Sequence, residues 1–163
     1  MSDTQKITVL GLGNILLEDE GFGVHFLRHI EGRYAFDANV RLVDGGTLAY
    51  KLLDVICGSD RVILIDAIKI DDEPGSLYRF TREEMELHMP PPTSAHEVEF
   101  LDVLCQAELM GELPETTFLC IVPESYGSMV LRMTRTMTDA FPRMEELLLR
   151  ELEALGVGWR EVR

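Results

Sequence analysis

Three side chains far apart in the sequence are of types that hold a divalent metal ion: the carboxylates of Glu20 and Asp66 and the imidazole of His96. Oxygen and nitrogen donors in this mixture suit a borderline ion such as zinc or nickel, and a three-ligand site keeps coordination positions open for chemistry on a substrate. Glu20 closes a run of acids, Glu18-Asp19-Glu20, that follows a glycine turn in GLGNILLEDEGFGVH (11–25). Such a turn usually cradles a phosphate against a helix N-terminus. Here Leu16 stands where the third glycine of G-x-G-x-x-G is required, and three negative charges occupy the place of the phosphate. The stretch therefore disfavours a dinucleotide and favours a cation. Asp19 is also a natural N-cap and acids complement the dipole of a first turn, but capping accounts for one acid and does not need three.

The other candidates carry ordinary roles beside the chemical one. Asp66 ends the apolar run RVILID and can simply terminate a strand. Ser94 and Glu97 have the S-x-x-E spacing of a capping box, so His96 falls in a helical first turn, where the dipole is expected to keep its ring neutral. His25 and His29 stand four apart, but Phe26 replaces the glutamate of H-E-x-x-H, so a solvated pair is expected; His88 carries no pattern. Cys57, Cys105 and Cys120 are odd in number, widely spaced and set in apolar surroundings, which reads as buried thiols. No G-x-S-x-G occurs and no cysteine neighbours a histidine, so a serine or cysteine nucleophile has no support.

An open α/β sheet can bring Glu20, Asp66 and His96 together. Residues 6–12 (KITVLGL), 40–43 (VRLV), 61–68 (RVILIDAI) and 116–122 (TTFLCIV) read as buried parallel strands, and 76–81 (SLYRFT) as an edge strand. Helical patterns fill 21–30 and 47–56, the latter with Thr47 as N-cap, and continue from Ser94 through Val98, Leu101, Leu104 and Cys105. A last helix spans 134–155, with Pro142 forcing a kink or a late start and Gly156 ending it. The alternation predicts a three-layer α/β sandwich, a mainly parallel twisted sheet of about five strands flanked by helices, in a single domain over 1–163. Ligands of such sheets bind beyond the carboxyl ends of strands where the strand order reverses, and that crevice would collect all three side chains.

Composition narrows the partners. The formal charge of −14 disfavours nucleic acid and anionic membrane, whose binding needs a positive field. No apolar run approaches the roughly 20 residues of a spanning helix. A soluble, cytoplasmic monomer is the expectation.

The ordered motifs resemble the hydrogenase maturation proteases, endopeptidases that trim the C-terminus of the large subunit of nickel-dependent hydrogenases. Residues 11–25 are similar to the family's G-x-G-N-x-L-x-x-D-E-x-x-G opening. Asp44-Gly45-Gly46-Thr47, Asp66-Ala67, Ser94-Ala95-His96 and Pro123-Glu124-Ser125 follow in the family's order. The resemblance implies that Glu20, Asp66 and His96 are the metal-binding and catalytic positions and that Asp44, Gly45, Gly46 and Thr47 contact substrate. It implies further that the nickel arrives in the large-subunit precursor, and that another divalent ion can occupy the site in isolated protein. Peptidyl-tRNA hydrolases also open with a strand and GLGN, but need a basic face for RNA. A non-catalytic nickel-recognising chaperone of the large subunit and a dinucleotide-binding oxidoreductase are the alternative functions.

Overall fold

The computed structural model describes residues 4–46, 49–88, 91–92 and 94–162. Its main sheet has five strands: β1 (Ile7–Leu12), β3 (Val40–Gly46), β4 (Arg61–Ala67), β5 (Leu77–Thr81) and β6 (Glu115–Ile121), in the order β3-β1-β4-β6-β5. β5 runs antiparallel to β6 along one edge, and the other pairings are parallel. The chain steps from β1 to β3 on one side and then to β4 on the other, so the order reverses between β1 and β4.

Alternating residues of the central strands feed two cores. Ile63, Ile65, Leu119 and Ile121 meet α1 (Phe22–Glu31) and α6 (Phe141–Ala154) through Phe22, Phe26, Met144 and Leu148. Val62, Leu64, Phe118 and Cys120 meet the other layer, α2 (Leu53–Cys57) and α4 (Ala95–Leu109), through Ile56, Phe100, Val103 and Leu104. The three-layer sandwich expected from alternation is therefore present. Burial on both faces explains why these strands read as continuous apolar runs.

Two glycines let α1 lie directly on the sheet. A Cβ on Gly23 would stand 2.2 Å from the carbonyl oxygen of Ile65 and 2.3 Å from that of Leu12, and one on Gly11 2.4 Å from the carbonyl oxygen of Gly23. This is the close helix-strand approach that the third glycine of a dinucleotide turn would provide, shifted here to position 23.

Several elements differ from expectation. The helix expected over 47–56 is a 3-10 turn (Ala49–Leu52) leading into α2, while Thr47, the expected N-cap, lies outside the described residues. α3 (Arg82–His88) precedes the proline stretch. β2 (Tyr34–Phe36) and β7 (Trp159–Glu161) form a separate antiparallel pair, too short for periodicity to show. Pro142 produces the late start: α5 (Arg135–Asp139) ends at Ala140, and α6 restarts with the proline in its first turn, where no N–H is needed. α4 buries His96, Phe100, Val103, Leu104 and Ala107, leaving Val98, Leu101 and Cys105 largely exposed. The expectation of three buried thiols thus fails for Cys105, and Cys57 is half-buried. α4 carries two apolar stripes, of which the sheet covers one.

Gly23→Ala is expected to destabilise the protein by at least about 2 kcal/mol in urea unfolding, because α1 must lift from the sheet. Gly32→Ala, whose Cβ would find nothing nearer than 3.8 Å, should change stability by less than about 0.5 kcal/mol. A second prediction concerns Glu151, which ties α6 to β5 by accepting two hydrogen bonds from Arg79, at 2.7 and 2.8 Å. Those bonds hold its carboxyl below the ordinary 4.5 against the opposing effect of burial. A lowered folded value means stability present above the unfolded pKa and lost as pH falls through the folded one. Glu151→Gln should therefore cost about 1 kcal/mol at pH 7, Arg79 being half exposed to screening solvent, and this difference should vanish on acidification below the folded pKa.

Candidate functional site

The carboxyl ends of β1 and β4 open the crevice. Asp66 is the penultimate residue of β4, opposite Cys120 of β6, and is 3% exposed. His96 reaches it from the first turn of α4, its Nε2 standing 3.3 and 3.2 Å from the two oxygens of Asp66. The capping box fixes that turn: the backbone N–H of Glu97 donates to Ser94 Oγ at 3.3 Å, and that of Ser94 donates to Glu97 Oε2 at 3.4 Å. Ser94 Oγ also lies 3.4 Å from His96 Nε2.

The expectation of a neutral His96 needs correction. Burial favours the uncharged ring, but the hydrogen bond and charge of Asp66, with the charges of Glu97 and Glu20 added, outweigh it. The imidazole is held above its ordinary pKa of 6.5. Neighbouring carboxylates at contact range exceed the half charge of a helix end.

The three acids after the glycine turn divide their work. Asp19, fully buried, accepts four hydrogen bonds: from the backbone N–H groups of Glu124 (3.0 Å), Ser125 (2.9 Å) and Thr134 (2.8 Å), and from the Thr134 hydroxyl (2.9 Å). It caps neither the 3-10 turn it opens (Asp19–Gly21) nor α1, contrary to the N-cap reading. It anchors the loop that follows β6. Glu18 accepts from the Ser125 hydroxyl, and its backbone N–H donates to the Val130 carbonyl at 2.8 Å. Its φ of +47° is unusual for a non-glycine residue, a strain held by the bridge to Tyr126. Glu20 is buried and acts on the charge of His96. The backbone carbonyl of Glu20 receives the Asn14 N–H at 3.1 Å, and Gly13 lies so close that a Cβ there would stand 1.9 Å from that oxygen.

Among the described residues, Asp66, His96 and Glu97 can each offer a ligand atom within 4.8 Å of the others. Glu20 is near enough for its charge to act on His96 but lies outside that tight group. Sequence reading assigned Glu97 only its capping duty, although its place beside a first-turn histidine was the available signal. Two carboxylates and one imidazole, with Glu20 adjacent, make a donor set that fits a borderline divalent ion.

Asp44 and Gly46 close β3 beside β1. Asp44 Oδ1 accepts the Gly46 N–H at 3.0 Å, Oδ2 accepts from Arg28 at 3.2 Å, and the Gly13 N–H donates to the Gly46 carbonyl at 3.1 Å. Gly45 is packed against Leu10, Leu12 and Leu52. The segment thus borders the glycine turn. His25 and His29 are not a solvated pair: the ring of His25 packs on Gly21, while Nε2 of His29 meets Glu145 at 3.2 Å. Burial pushes the Cys120 thiol well above its ordinary pKa, which suits a packing residue and not a nucleophile.

Comparison with known proteins gives one answer. The hydrogenase maturation protease family model matches residues 24–151, a span containing Asp66 and His96, with Glu20 just before it. The hydrogenase expression/formation protein HupD of Rhodobacter capsulatus is 34% identical over 158 residues, covering 94% of this chain and 74% of that protein. The hydrogenase 2 maturation protease of Escherichia coli is 36% identical over 122 residues, covering 74% of each. The hydrogenase-maturating endopeptidase HybD from E. coli superposes with a TM-score of 0.90 at 32% identity, covering 96% of this chain and 97% of that one. In sequence and in fold alike, the chain belongs to the hydrogenase maturation protease family.

Proposed function

We propose that the chain is an endopeptidase that removes the C-terminal extension of a nickel-loaded hydrogenase large-subunit precursor, and that Glu20, Asp66 and His96 recognise the precursor's nickel. The observation that carries this reading is the buried Asp66–His96 pair at the switch point, with Glu97 and Glu20 around it. Family membership supports the protease activity. The donor set supports the metal dependence.

In this reading the nickel is part of the substrate. Held in the crevice, it would polarise a scissile carbonyl or a water beside it. Asp66 and His96 would give up their mutual contact to hold the ion, and His96 would ligate through Nε2 only after releasing its proton there. A carboxylate of the group that is not ligating accepts the proton of the attacking water. Asp44, Gly45 and Gly46, whose strand end borders the glycine turn, guide the precursor's tail together with Thr47. The protein acts as a cytoplasmic monomer on a protein partner, and its charge of −14 turns nucleic acid away.

Incubation with nickel-loaded and nickel-free large-subunit precursor, followed by mass spectrometry of the precursor's C-terminus, tests the proposal. Loss of a C-terminal peptide only when nickel is present is the expected result; stable binding of authentic nickel-loaded precursor without cleavage would replace the protease by a chaperone. Glu20→Gln, Asp66→Asn and His96→Ala are each expected to lower processing at least about a hundredfold with the fold retained in circular dichroism. Normal processing by any one variant would remove that residue from the site. Asp19→Ala should behave differently, losing about 2 kcal/mol in urea unfolding because the part-buried N–H groups of Glu124, Ser125 and Thr134 lose their shared acceptor.

A further inference from the structure

A cavity of about 370 Å³ opens beside Asp66, between α4, α3 and the sheet face that carries Leu64 and Phe118. Phe100 from α4 and those two strand residues form its apolar interior, and Leu101 and Cys105, the stripe of α4 that the sheet leaves uncovered, form its outer wall. Asp66 and Glu97 line the cavity and also belong to the group around His96. The putting of one carboxylate pair on two spaces makes the cavity an annex of the crevice. A chain bound across the crevice meets the cavity at the carboxylates of Asp66 and Glu97, which belong to both.

We propose that this cavity is the specificity pocket for one large apolar side chain, of the size of Leu, Ile, Met or Phe, next to the scissile bond of the substrate. The inference rests on the protease reading above. The lining sets the chemistry of the occupant. Apolar walls offer water few of the polar partners that an ordered site requires, so an apolar side chain displaces it favourably. An acidic side chain is rejected by Asp66 and Glu97. Arg82 at the α3 side gives it no compensation, being paired with Glu86 at 3.1 Å and Glu108 at 2.8 Å.

The test couples the pocket to the substrate. Cys105→Trp fills the pocket from an exposed position and should preserve the fold. On nickel-loaded precursor its kcat/KM is expected to fall at least tenfold. Precursors carrying alanine in place of each apolar residue flanking the cut, one at a time, should include one on which the wild-type enzyme also loses tenfold or more while Cys105→Trp brings no further loss. Independent, multiplicative losses on every such precursor, or no loss in the variant, would overturn the proposal. Alkylation of Cys105 by iodoacetamide, followed by peptide mass spectrometry with Cys57 as internal reference, reads occupancy without cleavage. Bound precursor should slow Cys105 selectively, and unchanged alkylation in the bound complex would also overturn the pocket. A wild-type chain that binds precursor and protects Cys105 yet cuts nothing would instead sink the protease reading and leave the pocket supported.

Discussion

The contact on which the site depends is the one between Gly11 and Gly23. With no side chain at either position, α1 settles directly on β1 and against the end of β4, since any Cβ would enter the space of a backbone carbonyl. That approach fixes the height at which the glycine turn leaves β1, and with it the place of the Glu18–Glu20 segment above the strand ends. The apolar contacts of Phe22 and Phe26 beneath hold the helix down, and two fully buried aromatic rings contribute several kcal/mol to that docking. The position of a buried carboxylate thus follows from the absence of two methyl groups some distance away.

A second constraint acts from the other side of the crevice. The loop after β6 meets the rest of the chain through little more than the bridge at Glu18, and Asp19 adds acceptors for three of its backbone N–H groups and for the Thr134 hydroxyl. Glu18 completes the join at the cost of a positive φ. Two neighbouring acids are therefore spent on shaping the rim, and the third is buried where its charge acts on His96. Substitution at 19 and at 20 is expected to separate into loss of stability and loss of function for this reason, although the two residues are adjacent and both acidic.

The legible parts of the sequence were those governed by local rules. RVILID announced a strand buried on both faces with an acid at its end, the Ser94/Glu97 spacing announced the start of α4, and Gly156 announced the end of α6; its φ of +76° is the conformation that glycine adopts cheaply. What stayed hidden depended on long-range geometry. α4 offers two apolar stripes, and only the sheet's position decides that Phe100, Val103 and Leu104 go inward while Leu101 and Cys105 do not. The charge preference of His96 reversed because Asp66 and Glu20, from other elements, add their charge to that of Glu97 beside a ring that the helix dipole alone would keep neutral. Asp19 looked like a cap because its true partners lie more than a hundred residues on.

Charge balance connects the crevice to its proposed ligand. With their carboxyls ionised, Asp66, Glu97 and Glu20 place three formal negative charges near one imidazole, in surroundings that solvate ions poorly. A proton on His96 offsets one of them, which is the physical reason its pKa stands above the ordinary value. A divalent ion bound to the neutral ring would offset two while occupying the space between the same oxygens and Nε2. In the proposed reading, proton and metal would be alternative occupants of one electrostatic vacancy, and the dication would answer it more fully. The apolar cavity beside it would favour the same outcome, because low-polarity walls reduce the screening that otherwise dilutes the attraction between carboxylates and a cation.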